Sequence, residues 1–406
     1  MGLTPLEDVQ AAVLRECLPL IPRAVDLQNA LGCVTSMPVE AEEAVPPFDN
    51  TAMDGFAVQA VDTTDSPVEL KIVGTLAAGA DPGDVRVGAG QAVRIMTGAP
   101  LPSGADAVVM VERTHTEGDV VVVEQHATVG DHVRRAGDDL QPGDVVVEPG
   151  TVLTPAHLGV LASLGYQRAP VFPRPRVGVL STGDELVEGG AELRPGQIRD
   201  SNRPTLLALV RQSGFTPVDL GLVRDDETAI ATAVEHGVAT CDALVTSGGV
   251  SVGDFDYVKA VLDRLGSMRS WQVAIKPAKP LAFGTVHGKP VFGLPGNPVS
   301  SMVSFELFAR PALRQMGGHR RLFRPQVDAL VAEPIRRRPD GKLHLVRVVA
   351  TVGEDGRWRV RPVGGQGSHQ LAAAAAANAL ALVPDGDGAA AGTTVNALVL
   401  SADDPC

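Results

Sequence analysis

Four short stretches of this chain carry the residues best suited to chemistry. They are "STGDEL" (Ser181–Leu186), "SGGVSVGDFDY" (Ser247–Tyr257), "IKPAKP" (Ile275–Pro280) and "GLPGNPVSS" (Gly293–Ser301). The second begins as an anion cradle. Ser247, Gly248, Gly249, Ser251 and Gly253 are small enough to let backbone N–H groups converge on a phosphate. It then adds two acids, Asp254 and Asp256. With Glu185 and Asp225, these carboxylates would repel one another unless a cation lay between them. Oxygen ligands beside phosphate point to a hard divalent ion, Mg²⁺ above all. Lys276 and Lys279 sit beside the stiffening Pro277 and Pro280, which suits fixed cations. Each stretch alone has a plainer reading: Ser, Thr, Asp or Asn as a helix cap, a tight turn, solvated lysines. Asp225 and Asp254 are equally well read as capping or solvated acids. Four such stretches together favour a site.

The elements around them make that grouping plausible. From Arg176 to about Gly318 strands and helices alternate. "RVGVLST", "TPVDLGLV", "DALVTSGG", "WQVAIKP" and "PVFGLP" read as strands. "SNRPTLLALVRQSG", "DETAIATAVEHG", "DYVKAVLDRLG" and "PVSSMVSFELFARPALRQMG" read as helices, the last with Pro298 at its first position and Asn297 as its cap. Such alternation implies a mostly parallel sheet with helices on both faces, whose ligands bind at the carboxyl ends of its strands. The polar stretches follow those ends. Upstream, Thr4 with Glu7 has the spacing of a capping box for a first helix. From about Val68 to Val147 short β-rich runs alternate with Gly, Pro and Asp. After Arg321, "HLVRVVATV", "RWRVRPV", "LALVP" and "TVNALVL" suggest a second β module.

Composition sets outer bounds. The 406 residues are too many for one typical domain. A formal net charge of −13 disfavours nucleic acid or an anionic membrane as partner. Cys17, Cys33, Cys241 and Cys406 lie far apart, with no zinc-type spacing, so a reduced cytoplasmic compartment is expected. The first residues lack the pattern of a signal peptide. "LAAAAAANALALV" is shorter than the roughly 20 residues of a membrane helix, and reads as a core helix followed by a strand.

Taken in order, "PPFDNTAMDGFAV", "RIMTGAPLPSGADAVV", "RRAGDDL", "STGDEL", "SGGVSVGDFDY", "IKPAKP", "GLPGNPVS" and "GQGSHQL" resemble the molybdopterin molybdenumtransferase (MoeA-type) family, with its gephyrin E-domain relative. The resemblance implies insertion of molybdate into adenylylated molybdopterin with release of AMP, assisted by Mg²⁺. It implies a multidomain α/β plus β fold: a three-layer α/β/α domain (173–320), a β-rich domain (46–139) inserted in a helical and extended framework (1–45 and 140–172), and a C-terminal barrel-like β domain (321–406). It implies a homodimer whose site joins the α/β domain of one subunit to the β-rich domain of the other, and possible contact with the molybdopterin adenylyltransferase. The family's functional positions fall on Asp49, Thr97, Asp139, Glu185, Asp225 and Asp256, the last three as metal ligands. Its ligand-holding positions fall on Thr182, Gly183, the Ser247–Gly253 cradle, Lys276, Lys279, Pro298, Arg347 and Ser368. "GDD" stands where the family often has Gly-Glu-Asp, and Asp139 is the acid chosen from that pair; "GFAV" stands for Gly-Tyr-Ala-Val. Two other functions fit parts of the pattern: adenylyl transfer to molybdopterin, and a gephyrin-like scaffold without catalysis. The "FDNTAMDGFAV" segment and the second β module argue against the first, the full set of acids and lysines against the second.

Overall fold

The computed structural model describes residues 2–248 and 257–401. They form two compact units. One comprises Met1–Val25, Gly32–Ser36 and Pro170–Cys406, the other Asp26–Leu31 and Met37–Ala169.

The first unit begins with helix α1 (Leu6–Glu16), which buries Leu6, Val9 and Val13. Thr4 does not cap it. Pro5 occupies the cap position, and Thr4 is drawn into backbone pairing instead: its N–H donates to Gln272 O at 2.8 Å, and its carbonyl accepts from Ala274 N at 2.8 Å. Two long-range backbone bonds outweigh one local side-chain cap.

The α/β part follows as β1 (Arg176–Thr182), α2 (Asn202–Gln212), β2 (Thr216–Val223), α3 (Glu227–Thr240), β3 (Ala243–Ser247), α4 (Tyr257–Leu265), β4 (Gly266–Gln272), β5 (Pro280–Val286), β6 (Lys289–Leu294), α5 (Pro298–Ser304) and α6 (Arg310–Met316). The sheet order is β2-β1-β3-β6-β5-β4. The first four strands run parallel, and β5 and β4 add antiparallel. β1 and β3 are buried almost throughout, as central parallel strands must be. α1, α2, α5 and α6 supply the apolar cluster on one face, with Val177, Val245 and Phe292. α3 and α4 supply the other, with Leu180 and Leu244. Asp226 caps α3, accepting from Ala229 N at 2.8 Å.

Between α5 and α6 the helix widens into a π turn over Phe305–Ala309. Pro311 lacks the N–H that would bond the carbonyl four residues back. That carbonyl, Leu307 O, accepts instead from Gln10 Nε2 of α1 at 3.0 Å.

The C-terminal strands β7 (Gln326–Val331), β8 (Leu343–Val352), β9 (Trp358–Pro362), β10 (Ala379–Val383) and β11 (Thr394–Val399) close into a five-stranded barrel. Ile275–Lys276 does not prolong β4; it pairs in parallel with the start of β8, Lys276 beside His344. The alanine-rich segment gives only a short helix, Leu371–Ala375, with no buried residue, before β10. Its methyl groups are too small to drive burial.

The second unit holds a six-stranded sheet in the order Ala107–Met110, Gly55–Val58, Gln91–Ile95, Val68–Leu76, Val120–Val123 and Thr114–Glu117. Phe56, Leu70, Val109 and Val121 build its core. A helix at Pro155–Ser163 carries a capping box, Thr154 with His157.

Candidate functional site

In the first unit the carboxyl ends of β1, β2 and β3 meet at one rim. Thr182 ends β1, 3% exposed, and its Oγ1 has no hydrogen-bond partner among the described residues. Ser247 ends β3 and is 2% exposed. Gly248 follows with φ +99°, and a Cβ there would lie 2.7 Å from Thr182 O. Only glycine lets the two strand ends approach so closely. Gly183 sits at φ +151°, a backbone conformation that favours glycine, with the Glu185 carboxylate folded back beside it.

The acids of the rim crowd one another. Asp225, just beyond β2, receives its neighbour by a 3.4 Å bond from its own N–H to Asp184 Oδ1. Burial pushes the Asp225 carboxyl up, and the negative charges of Asp184 and Glu185 push it further. Among the described residues no three His, Cys, Asp or Glu side chains gather as a metal-holding group. Gly249, Ser251, Gly253, Asp254 and Asp256 lie outside the described residues.

A second group forms around the start of α5. Pro298 occupies the first helical position, although Asn297 makes no side-chain cap bond. Val299 N donates to Ser368 O at 3.0 Å, which ties the "GSH" segment to that helix start. Arg347, on β8, is 1% exposed. Its Nη2 donates to Gly365 O at 2.6 Å and Gly367 O at 3.1 Å, while Nε and Nη1 have no partner. Burial without a carboxylate depresses its pKa. It lines a cavity of about 230 Å³ with Val299, Met302, Val303 and Leu380. A buried guanidinium with two idle donors has the chemistry to hold an anion, although Glu306, paired with Arg324, lines the same cavity. Lys276 and Lys279 are exposed, and their ammonium groups make no hydrogen bond or ion pair among the described residues; their backbones are engaged, Lys276 beside His344 and Lys279 O accepting from Val273 N at 2.7 Å.

The second unit draws three distant motifs together. Leu101 N donates to Asp49 O at 2.9 Å, and Asn50–Thr51 pairs with Val133–Arg134. Asp49 is fully engaged: Arg135 Nη1 lies 2.6 Å from Oδ2, and Ala136 N donates to Oδ1 at 2.8 Å. The Ala136 bond and the Arg135 guanidinium hold its carboxyl below the usual range. Arg135 thus has its own carboxylate. Thr97 donates through both N and Oγ1 to Asp54 Oδ1, each at 2.7 Å. Asp138 accepts from Arg135 N at 2.7 Å, while the Asp139 carboxylate makes no hydrogen bond or ion pair among the described residues.

Sequence reasoning missed Asn202 and Asp54. Asn202 opens α2, and its Nδ2 donates to Ser247 Oγ and to Gly296 O, both at 2.7 Å. It joins two rim stretches, yet "SNRPTL" reads first as an ordinary helix start. The cue is the polar "RDSN" run, where Asp200 accepts from Asn202 N and Arg203 N at 3.1 Å each. No described helix is long and apolar enough to cross a membrane.

Comparison with known proteins places these sites in context. Residues 4–165 match the family model of the MoeA N-terminal region (domain I and II), 178–315 that of a probable molybdopterin binding domain, and 328–400 that of the MoeA C-terminal region (domain IV). The molybdopterin molybdenumtransferase of Haemophilus influenzae is 37% identical over 393 residues, covering 96% of this chain and 97% of that relative. Molybdopterin molybdenumtransferase 2 of Mycobacterium tuberculosis is 40% identical, covering 93% and 94%. The crystal structure of the MoeA protein of molybdopterin biosynthesis from Pyrococcus horikoshii superposes with a TM-score of 0.79 at 30% identity, over 99% of this chain and all of that one.

Proposed function

Because this chain belongs to the molybdopterin molybdenumtransferase family, and so is a transferase of molybdenum cofactor biosynthesis, we propose that it inserts molybdate into adenylylated molybdopterin and releases AMP. The observation that carries this reading is the rim at β1, β2 and β3. Gly248 there lets the ends of β1 and β3 approach, Asp225 lies near like charges, and Thr182 and Asn202 leave polar atoms idle among the described residues.

In this reading the N–H groups of Gly249, Ser251 and Gly253 hold phosphate, and Thr182, Gly183, Ser247 and Gly248, whose own N–H is given to Leu294 O at 3.3 Å, shape the floor beneath it. The crowded carboxylates fit a hard cation: their donors are all oxygen, and the upward push on Asp225 is the imbalance a divalent ion relieves. Glu185 and Asp225 would hold Mg²⁺, with Asp256 as the third ligand. Such an ion supplies charge neutralisation at phosphate oxygens. Water attacks phosphorus, the pyrophosphate P–O bond breaks, and AMP leaves with the electron pair.

Molybdate is the second substrate. Lys276, Lys279 and Arg347 bind it as an oxyanion, and Ser368 and the Pro298 turn close around it. Arg347's two unpaired donors support this role. Asp49, Thr97 and Asp139 act from a second copy of the chain in a homodimer, orienting water or completing the cation site. The same surface would receive substrate from the molybdopterin adenylyltransferase. The test is AMP release from adenylylated molybdopterin against molybdate concentration, with tungstate as comparison. AMP formation that rises with molybdate and Mg²⁺ is expected. ATP-dependent adenylylation of free molybdopterin, or no AMP release, overturns the reading.

A further inference from the structure

Two polar atoms at the rim are buried and unpaired, Asn202 Oδ1 and Thr182 Oγ1. Buried polar groups in folded proteins are rarely left so. Their surroundings explain why neither turns away. Asn202 commits both Nδ2 hydrogens, one to Ser247 Oγ and one to Gly296 O at 2.7 Å each, so its amide cannot flip without losing two bonds. That tether fixes the amide oxygen as an acceptor without a donor. Thr182 is held by the last pairing of β1 with β2, Thr182 beside Val223, and is 3% exposed. Its Oγ1 would lie 3.3 Å from a Cβ at Gly248, which puts it against the glycine that follows β3. A Cβ at Gly296 would in turn lie 3.9 Å from Gly248 Cα. Asn202, Thr182, Ser247, Gly248 and Gly296 are therefore one cluster, at the strand ends where ligands of parallel sheets bind.

We infer that Asn202 is a substrate-contacting specificity residue, whose amide oxygen accepts an N–H from an amino-substituted nitrogen heterocycle while Thr182 Oγ1 meets the adjoining ring atom. An acceptor fixed beside a hydroxyl, which can donate or accept, matches an exocyclic amine next to a ring nitrogen. This rests on the proposed function, whose substrate carries such an edge at both ends, the pterin and the adenine. Asn202 is not among the groups proposed to hold phosphate or metal, so its contact selects the ring without assisting bond cleavage.

The experiment measures binding of adenylylated molybdopterin, molybdopterin and AMP to the full chain and to Asn202→Ala and Asn202→Asp. Asn202→Ala should weaken adenylylated molybdopterin and one of the two halves by about tenfold or more, leaving the other half within about twofold. The half that loses affinity identifies the ring. Asn202→Asp keeps an acceptor but loses the donor to Gly296 O and with it the tether, so it should be about as weak as Asn202→Ala. Equal loss for both halves, or no loss for either, would reduce Asn202 to a structural tie and overturn the inference. If the unaltered chain binds none of the three, the proposed function has failed instead.

Discussion

The two units treat their acids in opposite ways. In the β-rich unit Asp49 and Asp54 already have what a carboxylate seeks: a guanidinium and an N–H for the first, an N–H and a hydroxyl for the second. At the α/β rim Asp225 has like-charged neighbours, and Asn202 and Thr182 leave buried polar atoms idle among the described residues, as Arg347 does on barrel strand β8. Folding has satisfied Asp49 and Asp54 from within and has left Asp225 among like charges. Unpaired buried polarity is costly, so it persists where a ligand offsets it. This contrast is what favours the α/β rim, rather than the acids of the second unit, as the proposed place of substrate binding.

The sharpest way to break the contrast is to neutralise the rim acids. Glu185→Gln and Asp225→Asn should each lower AMP release by about a thousandfold or more, since charge stabilisation at phosphate is a dominant catalytic term. Melting temperature should hold or rise, because relief of like-charge crowding costs the fold nothing. A variant that melts early and keeps its turnover would show these acids to be structural.

Assembly gives the next effect in size. Mixing Glu185→Gln chains with Asp49→Asn chains, each nearly inactive alone, should restore about a quarter of wild-type AMP release. Random pairing of two-fold dimers leaves one site in four with both acids intact. No recovery would place Asp49 and Glu185 in sites served by one chain.

Arg347 tests the idle donors. Arg347→Met should raise the molybdate concentration needed for half-maximal AMP release about tenfold. Stability without molybdate should stay within about 1 kcal/mol of wild type, because an unpaired buried cation contributes little to the fold that an apolar side chain cannot replace. A large loss of stability with unchanged molybdate dependence would mean that its bonds to Gly365 O and Gly367 O are its whole purpose.

Much of this contrast could be read from the chain before its fold was known. Buried runs such as "RVGVLST" and "DALVTSGG" announce central parallel strands, and the polar glycine-rich text after them announces the rim. Local signals failed where distant partners decide. Thr4 fits a cap by spacing, but backbone pairing with the 272–274 segment claims it. Ile275–Lys276 fits the end of a strand, but the barrel claims it. The π turn depends on Gln10, about three hundred residues away in sequence, to accommodate the carbonyl Pro311 abandons. Asn202 and Arg347 are ordinary residues in a helix start and a strand; only the neighbours that occupy some of their hydrogens reveal which atoms are left over.

The smallest effect separates the two regions most directly, through pH. Asp49 has a lowered folded pKa, so its contribution to stability is present above the unfolded carboxylate value near 3.8 and is lost as pH falls through the lower folded value. Asp225 has a raised folded pKa, so the folded state holds its proton more tightly than the unfolded one. Stability from that group therefore falls as pH rises from about the same 3.8 through the raised value, and stays lower above it. Asp49→Asn and Asp225→Asn should then differ from wild type in opposite senses when urea midpoints are followed from pH 3 to pH 7. The Asp49 variant should lose ground as pH rises, and the Asp225 variant should gain it. Added Mg²⁺ should erase the gain at Asp225, since a bound cation lowers that carboxyl's pKa, and leave the Asp49 slope unchanged within one copy of the chain. Parallel slopes for the two variants, with or without Mg²⁺, would mean that the acids of the two units are not differently provided for.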